Sequence, residues 1–75
     1  MIAQTIDARG LNCPLPVMKA KKGIQALTAG QSLEVISSDP GSVRDMDALC
    51  RSTGDKLVSS DNQDDGSYRF VIEKT

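Results

Sequence analysis

The stretch Ile2-Ala3-Gln4-Thr5-Ile6-Asp7-Ala8-Arg9-Gly10-Leu11-Asn12-Cys13-Pro14-Leu15-Pro16 changes its period part-way along, and that change decides the fold. Ile2, Gln4 and Ile6 alternate with Ala3, Thr5 and Asp7, which fits a half-buried first strand from Ile2 to Asp7. Arg9-Gly10-Leu11-Asn12 reads as a loop, with Gly10 permitting a tight bend and Asn12 common in turns. Proline suits the first turn of a helix, where a missing N–H leaves nothing unsatisfied. A first helix is therefore expected from Pro14 to about Leu27, with Val17, Ala20, Ile24 and Leu27 on its apolar stripe. Gly30 marks the turn out of it.

Cys13 then falls at the N-cap, facing free N–H groups and the positive end of the helix dipole. Both favour thiolate over thiol, so Cys13 is expected to titrate below the free value of about 8.5. A thiolate is the form that attacks, accepts or passes on sulfur. Pro14 and Pro16 support this thiol by rigidity and carry no chemistry themselves.

The rest of the chain repeats the strand-to-helix logic. Leu33 to Ser37 reads as a second strand, central in the sheet. Asp39-Pro40 reads as a capping side chain followed by proline at the first helical position. The second helix places Val43, Met46, Leu49 and Cys50 on one stripe and closes at Gly54. Lys56 to Ser60 is a short third strand, Asp64-Asp65-Gly66-Ser67 a hairpin turn, and Tyr68 to Lys74 the last strand, with Tyr68, Phe70 and Ile72 on one face. The expected fold class is α/β (α+β): a βαβαββ two-layer sandwich with two helices on one face of a four-stranded mixed sheet. Right-handed crossovers make the helix-linked strands parallel, and the uncovered face holds small and polar residues.

With 75 residues the expectation is one domain spanning 1–75 with one small core. Met1-Ile2-Ala3-Gln4 lacks the basic and apolar regions of a signal peptide. No apolar run approaches the roughly 20 residues that span a bilayer, so the default location is cytoplasmic, with no membrane partner.

The chain has two cysteines and no histidine. That makes a closed metal site improbable and excludes the Cys-His and Ser-His pairs of the usual hydrolases. No cofactor is expected. Cys50 reads as a core residue; the alternative is a resolving thiol, which would make the protein a two-cysteine redox switch.

Net charge is −1, but residues 1–30 hold Arg9, Lys19, Lys21 and Lys22 against Asp7, or 4 − 1 = +3, leaving −4 for residues 31–75. The simplest reading of these cations is solvated surface. The functional one is a basic collar around Cys13 that steers an acidic partner protein. Arg9, in the loop beside the thiol, is the best functional candidate among them. Asp39 reads as a helix cap and Asp7 as a strand-end residue that could orient the loop. So small a collar on an acidic chain, with one Tyr and one Phe, does not point to nucleic acid. A regulatory protein-binding module with Cys13 incidental is the other rival.

Asp7-Ala8-Arg9-Gly10-Leu11-Asn12-Cys13-Pro14-Leu15-Pro16-Val17-Met18-Lys19 resembles the N-terminal signature of the TusA/SirA family of small sulfur carriers, with its C-P-x-P motif. Ser38-Asp39-Pro40-Gly41-Ser42-Val43-Arg44-Asp45 and Cys50-Arg51-Ser52-Thr53-Gly54 are similar to that family's second-helix pattern, so the likeness covers essentially the whole chain. It implies the same βαβαββ sandwich, similar to the C-terminal domain of translation initiation factor three. It also implies that Cys13 takes sulfur as a persulfide from a protein donor, a cysteine desulfurase or rhodanese-like enzyme, and hands it to a protein acceptor. Such relays feed 2-thiouridine synthesis in tRNA, molybdenum-cofactor metabolism or sulfur oxidation. Arg9, Asn12, Pro14, Pro16 and Lys19 are the expected supporting residues.

Overall fold

A computed structural model describes residues 2–12 and 15–75. The elements follow in the order β1 (Ile2–Ala8), α1 (Leu15–Gln25), β2 (Ser32–Ser37), α2 (Ser42–Thr53), β3 (Lys56–Asn62) and β4 (Tyr68–Glu73). The sheet order is β1-β2-β4-β3. β1 runs parallel to β2, with Ile6 opposite Val35 and Ala8 opposite Ser37. β4 is antiparallel to both β2 and β3, so β2 and β3 share a direction, as expected for strands joined through a helix.

Alternation along the strands sorts side chains to two faces. Ala8, Leu33, Val35, Phe70 and Ile72 join Ala20 and Ile24 of α1 and Met46, Leu49 and Cys50 of α2 in one buried cluster. Both helices therefore cover the same face, and they also touch each other. Leu33, Val35, Met46, Phe70 and Ile72 have no exposed surface. Burying each stabilises the fold by roughly 1.5–3 kcal/mol, against about 0–1 kcal/mol for a surface ion pair such as Arg51–Asp47. The core, not the charge pairs, holds the sandwich. The opposite face carries a polar chain in which Thr5 Oγ1 donates to Glu34 Oε1 at 3.1 Å and Arg69 Nε donates to Glu34 Oε2, tying β1 and β4 to β2. Ile36 and Val71, which stand opposite Arg69 and Glu34, put apolar side chains on a face expected to hold small and polar residues.

Three helix details differ from expectation. The stripe of α1 does reach Leu27, which is buried, but α1 itself ends at Gln25. Ala26 and Leu27 instead donate to Gly23 and Ile24, three residues back, so the last turn tightens. The second helix starts at Ser42, not Pro40, and its N-cap is Gly41 with no side-chain cap. Asp39 acts one step earlier, its Oδ1 accepting from the Gly41 N–H at 3.0 Å. Finally, Val43 leaves the core stripe and is 40% exposed. Ser42 takes the inward place, its hydroxyl 2.6 Å from that of Ser37. At the other end Gly54 closes α2 with φ 82°, its N–H bonded to the Cys50 carbonyl, a conformation open to glycine at no steric cost.

The approach of α1 to the sheet is set by Gly23. A Cβ there would lie 2.7 Å from Ile6 Cδ1 and 3.1 Å from Leu33 Cδ2, closer than packed carbons allow. Gly23→Val should therefore lower stability by about 2 kcal/mol through overpacking. Urea denaturation measures it, and a loss below about 0.5 kcal/mol would show that α1 can step back from the sheet without penalty.

Candidate functional site

Because β1 and β2 are parallel, their carboxyl ends lie together, and each leads into a helix. The antiparallel register sets Tyr68 opposite both Ser37 and Asn62, so the 63–67 hairpin reaches the same end. Three connections thus converge: residues 9–12 before α1, residues 38–41 before α2, and the hairpin. Cys13 and Pro14, expected at the N-cap and first helical position, lie outside the described residues.

The residues on either side of them are well tied. The Leu15 N–H donates to the Asn12 carbonyl at 2.9 Å, and the Leu11 N–H to the Ala8 carbonyl at 3.3 Å. The Gly10 N–H donates to Ser38 Oγ at 2.9 Å, which joins the two helix approaches directly. Pro16 is fully buried and anchors the first turn, while Asn12 is exposed. Ser38 was not singled out by the sequence. A serine at a strand end signals a local turn, but nothing in the chain tells that its hydroxyl reaches across 28 positions.

Arg9 is turned onto acids. Its Nε and Nη2 donate to the two Asp7 carboxylate oxygens at 2.9 and 3.0 Å, and its backbone N–H also donates to Asp7 Oδ1. Nη1 lies 4.0 Å from Asp65 Oδ2 in the hairpin. The Arg9 side-chain bond, with the backbone bond next, lowers the Asp7 carboxyl from 3.8 to about 2. Asp7 thus fixes the loop, the role considered for it from the sequence. Arg9, Glu34, Arg69 and the hairpin residues Asp64, Asp65 and Ser67 line an open depression of about 500 Å³. Lys19 is elsewhere: it is exposed on α1 and lines a groove beside β1 with Lys22, Gly23 and Ala26. Arg9 and Lys19 thus line two different depressions.

Cys50 is a free, buried thiol. Burial first, then the charges of Asp55 and Asp47, push its pKa up to about 11. It is a weak nucleophile at neutral pH. Among the described residues no cluster of three or more His, Cys, Asp or Glu could hold a metal, and no helix is long and apolar enough to cross a membrane. Leu15 and Met18 in the first turn of α1 and Val43 at the start of α2 are 46%, 59% and 40% exposed, so apolar side chains lie exposed at both helix starts.

The family model for sulfurtransferase TusA matches residues 4–74. The chain belongs to the TusA family. The sulfur carrier protein TusA of Allochromatium vinosum is 49% identical over 72 residues, covering 96% of this chain and 93% of its own. A relative in Halobacterium salinarum is 40% identical over 75 residues, covering 99% and 91%. The crystal structure of a SirA-like protein from Desulfitobacterium hafniense superposes with a TM-score of 0.84 at 28% identity, covering 93% of this chain and 95% of that one. The expected TusA/SirA membership and the four-stranded mixed sheet with two helices are both borne out.

The Asp7–Arg9 clasp has a pH signature. Its folded carboxyl pKa is depressed, so its stabilising contribution is present above the unfolded pKa near 3.8 and is lost as pH falls toward about 2. In Arg9→Ala the Asp7 carboxyl should titrate back toward 3.8, followed by carboxyl-carbon NMR. An unchanged titration would mean that the clasp does not form in solution.

Proposed function

We propose that the protein is a cytoplasmic sulfur carrier, one TusA-like domain, whose cargo rides on Cys13 as a persulfide. The Cys13 thiolate attacks the outer sulfur of a donor protein's persulfide. The donor's S–S bond breaks, its electron pair leaves on the donor sulfur as thiolate, and Cys13 becomes the persulfide. In the second step an acceptor thiolate attacks that outer sulfur and Cys13 returns as thiolate. Electrons balance in both steps, so neither cofactor nor metal is required. A thiolate populated near neutral pH also removes the need for a general base, in keeping with a chain without histidine.

The observation that carries this reading is the TusA match over residues 4–74, which spans Cys13 in its C-P-x-P setting. The state of the other thiol supports it: Cys50 is buried and raised to about 11, which leaves Cys13 as the group able to attack. Loop ties on either side of positions 13–14 suit a thiol presented in one place. Exposed Leu15, Met18 and Val43 suit a protein donor and acceptor, either a cysteine desulfurase or a rhodanese-like enzyme on the giving side. The sulfur would go on to tRNA thiolation, molybdenum-cofactor metabolism or sulfur oxidation.

Intact-mass measurement after incubation with a cysteine desulfurase and cysteine tests it. The wild type should gain one sulfur and Cys13→Ala none, while Cys50→Ala should load like wild type. No gain with any sulfane-sulfur donor, or an equal gain on Cys13→Ala, would overturn the reading.

A further inference from the structure

β1 is an edge strand, paired with β2 alone. Every second residue along it turns its N–H and C=O outward. Among the described residues no other backbone group bonds to Ile2–Asp7 from that side. Edge strands in native proteins are commonly guarded by charged side chains, proline or bulges. Here Ile2 to Ile6 carries no charge and no proline, and its one irregularity lies at the start, between Ile2 and Gln4.

A groove of about 300 Å³ runs beside this edge, lined by Gln4, Ile6, Lys19, Lys22, Gly23 and Ala26. The floor is apolar, and Gly23 keeps it open where a side chain would stand. The wall is cationic: neither Lys19 nor Lys22 has a carboxylate partner among the described residues.

From this we infer that the β1 edge and its lysine-walled groove form a docking site for an extended, acidic segment of a partner protein, which adds as a fifth strand. Backbone hydrogen bonds to β1 would give affinity, and alternate side chains would meet the groove, apolar ones over Ile6 and Ala26 and acidic ones against the lysines. A second copy of this chain fits less well. Two β1 edges related by a twofold axis through a continuous sheet would bring both α1 helices to the same face, with Lys19 and Lys22 of each copy opposed. Like charges so placed repel. β1 also runs toward the loop of residues 9–12, so a strand held there delivers its protein to the Cys13 end. That last link rests on the sulfur-carrier reading, whereas the docking itself does not.

The probe is a short synthetic peptide whose every second residue, the set that faces the groove, is in turn valine and glutamate, with threonine between them, beside a counterpart with lysine for glutamate, each added to the full chain. Residue-resolved amide exchange should slow within β1 for the acidic peptide only. The double variant Lys22→Glu/Ala26→Glu should weaken binding by about tenfold, and added salt should weaken it further. Protection on β3 instead, equal binding of the basic peptide, no loss in the double variant, or no binding at all would overturn the proposal. So would β1 protection that rises with the protein's own concentration, which would identify a second copy as the occupant. None of these readouts involves sulfur, so they stand apart from the loading of Cys13.

Discussion

The parallel pairing of β1 with β2 is the constraint on which everything else depends. With Asp7 opposite Ile36 and Ala8 opposite Ser37, the two strands finish side by side, and each feeds a helix. Parallel neighbours need a crossover, which here is α1 packed on the face that the strands bury. That packing is close because Gly23 contributes no side chain where Ile6 and Leu33 press against the helix. The helix starts, the polar ties between their loops and the course of residues 9–12 all follow from two strands ending at one edge of the sheet.

The polar groups at that edge serve geometry first. Asp7 accepts three hydrogen bonds from Arg9, which leaves the guanidinium committed to a carboxylate and leaning toward Asp65. Ser38 holds Gly10, Ser37 meets Ser42 in the interior, and Asp39 holds Gly41. The buried Ser37–Ser42 bond contributes about 1 kcal/mol and the exposed Asp7–Arg9 pair is screened by solvent, so these contacts fix a loop without rivalling the core. The carrier chemistry we propose needs this much: a held loop and a partner that brings the second sulfur.

Much of this was legible in the chain. The switch from alternation to a proline-led helix, the repeat of that logic at Asp39-Pro40, and the Asp-Asp-Gly-Ser turn yielded the element order and topology. Gly54 closed α2 where expected. The misses share a cause: they sit at element ends, where neighbours in space decide. Val43 falls on the apolar period of α2, yet in the helix's first turn it is 40% exposed, while Ser42 turns inward, where the Ser37 hydroxyl is there to bond. The last turn of the first helix kept its apolar residue and changed its hydrogen-bond pattern. The charge count placed Arg9 and Lys19 together in one segment, but the fold sends one to the hairpin side and the other to the β1 groove. Sequence distance carried no information about Ser38 and Gly10, which meet only because β1 and β2 end together.

The central claim is that one thiol works and the other is structural. The pH dependence of iodoacetamide alkylation, resolved for each cysteine by peptide mass analysis, tests it most directly. Cys13 should react with an apparent pKa below about 8.5, and Cys50 should stay unmodified until the pH nears its raised value of about 11. A Cys13 that titrates at or above the free-thiol value, or a Cys50 alkylated equally fast at neutral pH, would contradict the account.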